Sequence, residues 1–311
     1  MNAIMSSPDA DYNTRNVAWY IADTDLAELN RKAQELFVNY SHLPPDNVKA
    51  HVQKIVSLLQ DASASATYET RILQRDKAWE ISPLPCIGQM RFLDFSLAMM
   101  PSYDEILVRL GDSAAPARLL DVGCCLAQDL RRLVADGAPS ENLVGLDLEP
   151  RFLSLSYDLF ADHEFYKGQM AAGDIFDQSV NGPVALLEGT IDIIHAASFF
   201  HLFDWDTQVK AGVQLVQLMK TAPDSLVLGR HLGSSTGEER FSPTNPSAKM
   251  YLPCPDSFKR LWVEISDRTS TKWDVNAWLK EVTTHSKIPD KKQWMNNRIQ
   301  LLYFEVRRSF S

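Results

Sequence analysis

The chain has 311 residues, of which 45% are hydrophobic, and a formal net charge of −9, which fits one large α/β domain or one domain with an extension. The acidic balance, without a basic run interleaved with aromatic residues, argues against nucleic acid as a partner. Because there is no signal-peptide pattern, no run of about 18 apolar residues and no cysteine framework, the sequence predicts a cytoplasmic protein that neither spans membranes nor depends on disulfides.

The N-terminal part, residues 1–110, has the apolar spacing of helices. Helices are predicted at 26–37, at 48–59 after Pro44-Pro45-Asp46, at 69–79, and at 90–99 beyond a break rich in proline and glycine. We interpret this part as a helical cap that contributes to an acceptor site. Two roles stay open for it: a homodimer contact, or only a cover over the site.

From residue 111 to residue 311, short apolar runs alternate with helical spacing, which indicates a doubly wound α/β domain. Strands are predicted at 118–122, 143–147, 169–171, 191–196, 225–230 and 301–306. Helices are predicted at 128–136, 151–162, 205–220, 256–266 and 273–282.

The first two predicted strands each end in an acid, Asp121 and Asp147. Parallel strands present their carboxyl ends at one edge of a sheet, where a nucleoside binds against the N-terminus of the next helix. Asp147 is then placed to accept both ribose hydroxyls, and Asp121 to anchor an ammonium group directly or through water. The alternative role for Asp121 is to cap the next helix, and the alternative for Asp147 is to lie in solvent at the end of its strand.

The turn after the first strand has Gly123, Cys125 and Gln128 where a dinucleotide fingerprint would need three glycines. A cofactor without a pyrophosphate does not need the backbone of this turn to approach it as closely, so fewer glycines are required. S-adenosylmethionine (SAM), an adenosine with an amino-acid tail, is such a cofactor.

Two further segments follow at the same predicted edge. In Gly173-Asp174-Ile175-Phe176, the carboxylate of Asp174 is placed for an adenine amino group, and Ile175 or Phe176 for its ring, although Asp174 alone would indicate an Asx turn. The strand at 191–196 opens into a loop rich in histidine and aromatic residues, where an acceptor would meet the cofactor. His195 and His201 there have the alternative of being satisfied core residues.

Metal binding is not expected. Cys124 and Cys125 are adjacent and therefore point in different directions, and the histidines lack the spacing of metal ligands. Small buried packing is the simpler role for the two cysteines.

The order of Asp121-Val122-Gly123, Asp147, Gly173-Asp174-Ile175-Phe176 and Asp192-Ile193-Ile194-His195 resembles the motifs of class I SAM-dependent methyltransferases. Segments 121–131, 136–143 and 195–205 are similar to the fungal methyltransferases of meroterpenoid and related secondary-metabolite clusters, and the resemblance covers about residues 80–310. It implies a seven-stranded Rossmann-like sheet with an antiparallel final strand, and SAM as methyl donor with S-adenosylhomocysteine (SAH) as product. It also implies, from several members, esterification of a farnesylated polyketide acid. Many methyltransferases have further glycines where this chain has Cys125 and Ala127.

Methyl transfer to a carboxylate needs no base, because the carboxylate is ionised at pH 7. Arg91, Arg230 or His231 would then neutralise the acceptor, whereas a phenol or enol would use His201 as base. The acceptor is expected to be a small, apolar molecule with a carboxyl or hydroxyl group, covered by a lid at 233–255 that contains Phe241, Met250 and Tyr251.

The predicted site therefore has three groups of residues. The predicted catalytic residues are His201, Arg230 and His231. The predicted cofactor contacts are Asp121, Gly123, Cys124, Gln128, Asp147, Leu148, Asp174, Ile175, Phe176, His195 and Ala196. The predicted acceptor contacts are Arg91, Phe199, Phe200, Trp205 and Tyr251.

Other classes of function stay open. One is a methyltransferase-like protein that guides cyclisation or rearrangement of a metabolite without methyl transfer. Another is a non-catalytic binding partner. A nicotinamide-dependent oxidoreductase is disfavoured by the missing glycine pattern.

Overall fold

A computed structural model describes residues 30–53, 78, 80–282 and 298–310. The predicted helix at 69–79 lies outside these residues except for Ala78, as do residues 26–29 and 54–59 of the first two predicted helices. Within the described ranges, no helix has both the length and the apolar character needed to cross a membrane.

The N-terminal part is helical where it is described, with α1 at Arg31–Asn39, α2 at Pro45–Gln53 and a single turn, α3, at Pro85–Gly88. The predicted helix at 90–99 is wrong: the chain forms only two short 3-10 turns, at Arg91–Leu93 and Leu97–Met99. The reason is the backbone, because Met90 and Phe95 have φ values of 55° and 45°, which no right-handed helix accepts. The segment 90–100 therefore runs over the sheet as an irregular strap.

The sheet has seven strands in the order β3-β2-β1-β4-β5-β9-β8, which confirms the predicted doubly wound fold. The strands β1 to β5 are parallel, β9 is antiparallel to both of its neighbours, and a separate hairpin is formed by β6 and β7. The strands are β1 Leu119–Val122, β2 Leu143–Asp147, β3 Gln169–Ala172, β4 Ile193–His195, β5 Leu226–Ser234, β6 Glu238–Phe241, β7 Lys249–Leu252, β8 Lys272–Lys280 and β9 Ile299–Ser309.

The predicted helix at 273–282 is wrong, because this segment is the edge strand β8. Trp273, Val275, Ala277 and Leu279 alternate along it and pack towards the core under one face of the sheet. Trp278 points to the other face and stacks on Tyr303, with ring centroids 5.7 Å apart. Apolar residues recur at every second position of this segment, as is typical of a strand. Trp273 and Trp278 lie on opposite faces, however, and they hide this alternation in the sequence.

Helices cover both faces of the sheet, with α7 Trp205–Leu218 and α8 Pro255–Thr269 on one face. The other face carries α4 Tyr103–Leu110, α5 Gln128–Ala135 and α6 Pro150–Phe160. The N-terminal helices α1 and α2 form an outer apolar cluster with α6. This cluster also includes Leu126 of the turn after β1, so the N-terminal helices pack beside the carboxyl end of that strand.

A buried ion pair of the sheet domain accepts a hydrogen bond from the N-terminal part. Arg131 of α5 and Asp162 are both fully buried, with Nε and Oδ2 2.8 Å apart. Tyr40, just after α1, donates its hydroxyl to the same oxygen at 2.6 Å. The guanidinium also lies 4.0 Å from the ring centroid of Tyr166. Asp162 therefore accepts from both parts of the molecule.

Candidate functional site

The turn after β1 has a left-handed backbone at three alternate residues, with φ values of 67°, 51° and 49° at Gly123, Cys125 and Ala127. At a non-glycine residue this conformation costs about 1–2 kcal/mol. The chain therefore keeps the shape of a glycine-rich turn while supplying only one glycine. Gly123 is exposed, and a β-carbon on it would lie 3.3 Å from Cδ2 of Phe199. Strained backbone of this kind is concentrated at functional sites.

Asp147 closes this turn from the end of β2. Its Oδ2 accepts from the backbone N–H of Cys125 at 2.7 Å, and its Oδ1 from the N–H of Glu149 at 3.0 Å. Burial raises the pKa of Asp147, and these N–H groups lower it by less. Each carboxylate oxygen keeps acceptor capacity for a further donor. A pair of ribose hydroxyls is one set of donors that would fit it.

Asp121 lies opposite His195 in the register of β1 and β4. The Oδ1 atom of Asp121 is 2.9 Å from Nδ1 of His195, and both side chains are buried. Burial raises the pKa of Asp121. Burial lowers the pKa of His195, but the charge and hydrogen bond of Asp121 raise it by more. The two predicted cofactor residues are thus each other's partners.

Two residues that sequence reasoning missed extend this pair. Nε2 of His195 is 3.4 Å from Oγ of Ser96, which donates to Oδ2 of Asp129 at 3.1 Å. Asp129 belongs to the first turn of α5 and is 1% exposed. A sequence signal existed, because Asp129 lies four residues before Leu133, on the apolar face of the helix.

At the end of β3, Asp174 is exposed and accepts from the N–H of Phe176 at 3.0 Å, which forms the Asx turn that the sequence offered as the alternative to an adenine contact. Ile175 is buried beside it. Phe176 packs edge-to-face on Phe203, which contacts Phe199 in the same way, with centroids 5.6 and 5.4 Å apart. An aromatic wall therefore runs from the Asp174 turn to the exposed Gly123.

A largely buried charge cluster joins the strap at 90–100 to β5. Nη2 of Arg230 is 2.9 Å from Oδ2 of Asp94, and Nε of Arg91 is 3.4 Å from the same oxygen. Burial and the neighbouring charge of Arg230 lower the pKa of Arg91. Two guanidinium groups and one carboxylate leave an excess of one positive charge. Sequence reasoning missed Asp94, since nothing in the sequence pairs it with Arg230.

The structure does not place His231 with Arg230. Alternation along β5 puts Arg230 on the face of Asp121 and His195, and His231 on the opposite face. His231 is fully buried among Phe200, Phe258 and Phe304, and neither ring nitrogen has a partner within the described ranges. Burial and the neighbouring His201 lower its pKa well below the usual value, so this imidazole is neutral.

His201 lies beside His231, with ring centroids 5.9 Å apart. Its side chain is buried, and its Nδ1 atom has no hydrogen-bond partner among the residues described. Burial, together with the charge of Arg91, lowers the pKa of His201 to about 3. His201 is therefore a neutral and weak base.

The predicted lid at 233–255 contains the hairpin of β6 and β7. Its Tyr251 donates its backbone N–H to the carbonyl oxygen of Phe203 at 2.8 Å, and its ring meets Trp205 edge-on at 5.1 Å. Trp205 in turn donates its indole N–H to Glu264 at 3.1 Å. These contacts tie the hairpin to the aromatic loop that follows β4.

The remaining predicted contact residues differ in exposure. Leu148 is 55% exposed beside Asp147, whereas Cys124, Ala196 and Phe200 are buried. In the part of the chain that the structure describes, no group of three His, Cys, Asp or Glu side chains has the geometry of a metal site.

The sheet order, the left-handed turn after β1 and the acids after β1 to β3 define the Rossmann-like fold of class I methyltransferases. The crystal structure of the [4+2]-cyclase SpnF shows the same fold at 10% sequence identity, with a TM-score of 0.50 over 91% of this chain and 97% of that chain. Fold alone does not assign a reaction.

Sequence comparison is more specific. Residues 19–93 match the model of the meroterpenoid methyltransferase N-terminal domain. The chain is 37% identical to O-methyltransferase phiE of Fungal sp. over 267 residues, 85% of this chain and 80% of that protein. It is 33% identical to O-methyltransferase atr3 of Stereocaulon alpinum, over 97% of this chain and 79% of that protein. The asnovolin E/chermesin D methyltransferase nvfJ of Aspergillus novofumigatus is 30% identical over 88% and 89% of the two chains. The chain belongs to this fungal methyltransferase family and is a methyltransferase.

Proposed function

We propose that this methyltransferase uses SAM to form the methyl ester of an apolar carboxylic acid from a terpenoid or polyketide pathway. The observation that carries the acceptor chemistry is the buried cluster of Arg91, Asp94 and Arg230 with its excess positive charge. A carboxylate is the group whose charge and planar shape best match a free guanidinium edge.

The residues of the turn fit SAM. Gly123 is exposed at the left-handed turn, and the carboxylate of Asp147 keeps acceptor capacity on both oxygens. Within the described part of the chain, the Oε1 atom of Gln128 is buried without a partner, and it suits a donor such as the ammonium group. When bound, SAM supplies an electrophilic methyl group, and SAH is the product. We assign the adenine end to Asp174, Ile175 and Phe176.

The state of the histidines favours an acceptor that needs no base. His201, with a pKa of about 3, is a weak base near neutral pH. His231 is neutral and enclosed by phenylalanine rings. A phenol or enol would need a better base near neutral pH. A carboxylate is already ionised there. We therefore propose that His201 lines the acceptor site as a neutral group, and that His231 supports it from behind.

Arg91 and Arg230 are proposed to orient the acceptor carboxylate towards the turn after β1. Asp94 holds both guanidiniums in place before the acceptor arrives, which lowers the entropy cost of binding. The aromatic residues Phe199, Trp205 and Tyr251 would contact the apolar body of the acceptor. The printed names of phiE and atr3 support transfer to oxygen, and the meroterpenoid family model supports this class of acceptor.

The first experiment is isothermal titration of SAM and SAH into the wild-type protein, Asp147→Ala and the surface control Asp158→Ala. We expect micromolar binding, weakened about a hundredfold in Asp147→Ala, which is a loss of about 2.7 kcal/mol, and unchanged in Asp158→Ala. A folded wild-type protein that binds neither ligand would overturn the proposal for SAM.

The second experiment incubates the protein with SAM and a panel of prenylated aromatic acids and matching phenols. The expected product has the mass of one added CH2 group and returns to the acid on mild alkaline hydrolysis, as an ester does. A product that resists alkali would be an ether or a carbon-methylated compound, and it would overturn the proposed carboxyl acceptor.

A further inference from the structure

Asp129 is a buried carboxylate in the site, and the proposed reaction gives it no role. It accepts three hydrogen bonds: from the N–H of Leu97 at 2.8 Å, from Oγ of Ser96 at 3.1 Å and from Nε2 of Gln128 at 3.2 Å. The first two donors belong to the strap at 90–100, and the third is the first residue of α5, directly after the turn that follows β1. A single carboxylate thus joins the acceptor side of the site to the cofactor side.

The bond to Asp129 settles the orientation of the Gln128 amide. A carboxylate accepts but cannot donate, so only the NH2 group of Gln128 can face Asp129. The Oε1 atom is therefore the free end, and it is buried without a partner among the residues that the structure describes. A buried amide oxygen without a partner is unfavourable, so a donor from a ligand is expected there.

The environment indicates which donor that is. Asp121 is already paired with His195 at 2.9 Å, so its charge is largely neutralised within the protein. Asp129 lies near both residues, and its charge contributes to raising the pKa of each of them. The three donors bound to Asp129 are neutral groups, so its negative charge would attract a cationic group, which in SAM and SAH is the ammonium of the amino-acid tail.

We propose that Asp129 is a positioning residue that orients the Gln128 amide, so that Oε1 of Gln128 accepts from the ammonium group of the cofactor. Asp129 also fixes the strap through Ser96 and Leu97. This inference rests on the proposed use of SAM. Asp129 touches no cofactor atom in this arrangement and acts through Gln128.

The test compares two ligands that differ only at the amino-acid tail: SAH, and 5′-methylthioadenosine, which lacks both the ammonium and the carboxylate. Dissociation constants for both are measured by titration calorimetry in the wild-type protein, Gln128→Met, Asp129→Asn and the double variant. Methionine keeps the length of Gln128 without its polar atoms. Asparagine keeps the shape of Asp129, but its NH2 group replaces one of the accepting oxygens.

We expect Gln128→Met and Asp129→Asn each to weaken SAH about tenfold, or about 1.4 kcal/mol, with binding of 5′-methylthioadenosine within about twofold of wild type. The double variant should be no worse than Gln128→Met, because both changes remove the same contact. A merely structural role for Asp129 would weaken the two ligands equally. The control Gln169→Met, at an exposed glutamine of β3, should change neither.

The outcomes separate the two proposals. Wild-type protein that binds neither ligand would overturn the proposed function itself. If SAH binds and Gln128→Met leaves the ratio of the two dissociation constants unchanged, Oε1 does not meet the amino-acid tail. If Gln128→Met changes the ratio and Asp129→Asn does not, Asp129 is not the residue that positions Gln128. Should Asp129→Asn fail to fold, Gln128→Met still tests the contact between Oε1 and the amino-acid tail. Ser96→Ala then tests the strap, because it removes one donor to Asp129 and should leave the ratio of the two dissociation constants at its wild-type value.

Discussion

The carboxylate of Asp121 and the imidazole of His195 lie 2.9 Å apart at the paired ends of β1 and β4, where both are buried. Neither group has its ordinary proton affinity, because burial raises the pKa of Asp121, and the charge of Asp121 raises the pKa of His195 against the effect of burial. The pair therefore holds a proton more tightly in the folded protein than in the unfolded chain. This has a measurable consequence for stability.

Stability should fall as the pH rises through the folded-state pKa of His195. The contribution of a histidine with a raised pKa is fully present below the unfolded value of about 6.5 and is lost progressively as the pH rises from there through the higher folded-state pKa. Asp121→Asn removes the carboxylate that raises the pKa of His195 most. Burial and the charge of Arg230, which lower this pKa, are then opposed by the weaker effect of the Asp129 charge, so the downward slope should become much shallower. Urea unfolding of both proteins between pH 5.5 and pH 9, with the His195 proton resonance followed by NMR, measures it.

A surface pair provides the control. His163 and Asp158 are 3.2 Å apart, but both side chains are largely exposed. Asp158→Asn should therefore change stability by less than about 1 kcal/mol at any pH. Superimposable stability curves for the wild-type protein and Asp121→Asn would contradict the prediction.

The arginine cluster should control acceptor binding without affecting the cofactor. Arg230→Met removes a planar donor from the proposed carboxylate site, and we expect the KM for the acceptor to rise about a hundredfold. Arg230→Lys keeps the charge but loses the two-pronged geometry, so a rise of about tenfold is expected. The measurement is steady-state kinetics with an acid acceptor, together with SAH titration. A loss of SAH affinity equal to the rise in KM would assign Arg230 to the cofactor site instead.

The strained turn should gain stability from a glycine. Cys125 has a φ of 51° and is half-buried, so Cys125→Gly relieves backbone strain at the cost of modest packing. We expect the free energy of unfolding to rise by about 0.5–1 kcal/mol in urea denaturation. The neighbouring Cys124 is the matched control, because it is buried and its φ is not positive. Cys124→Gly should lower stability by about 1–3 kcal/mol, and equal effects at the two positions would argue against strain at Cys125.

The link between the N-terminal cap and the sheet domain should depend on one hydroxyl. Tyr40→Phe removes the 2.6 Å bond to Asp162, and we expect a loss of about 1.5–3 kcal/mol in the free energy of unfolding, because the acceptor is charged. Tyr157→Phe is the control, since its ring centroid remains about as close to Arg131, at 5.1 Å in the wild-type protein. Asp162→Asn should be worse, at about 3–5 kcal/mol, because it leaves the buried Arg131 unpaired. A loss in Tyr40→Phe no larger than in Tyr157→Phe would show that the hydroxyl does not hold the cap.

Some elements could be predicted from the sequence because their signal is local. The strand β2 occupies the predicted 143–147, since a parallel strand buried on both faces is a continuous apolar run, and the acid that ends it marks the sheet edge. The start of α7 at Trp205 was also predicted, and Asp204 caps it through the N–H of Thr207. Where the local signal was mixed, the predictions failed, as for the helix at 273–282 that is β8.

The sequence by itself determined which chemical groups stand at the carboxyl ends of the strands: Asp121, Asp147, Asp174 and His195 were predicted there, and the strand positions of β1, β2, β3 and β4 are fixed by local apolar pattern. Only the tertiary structure decided which of these groups face one another. Arg230 meets Asp94 across 136 residues, His195 meets Asp121 across 74, and Ser96 meets Asp129 across 33. Charge pairing and pKa depend on distance through space and on burial, and neither quantity is written in a local stretch of residues.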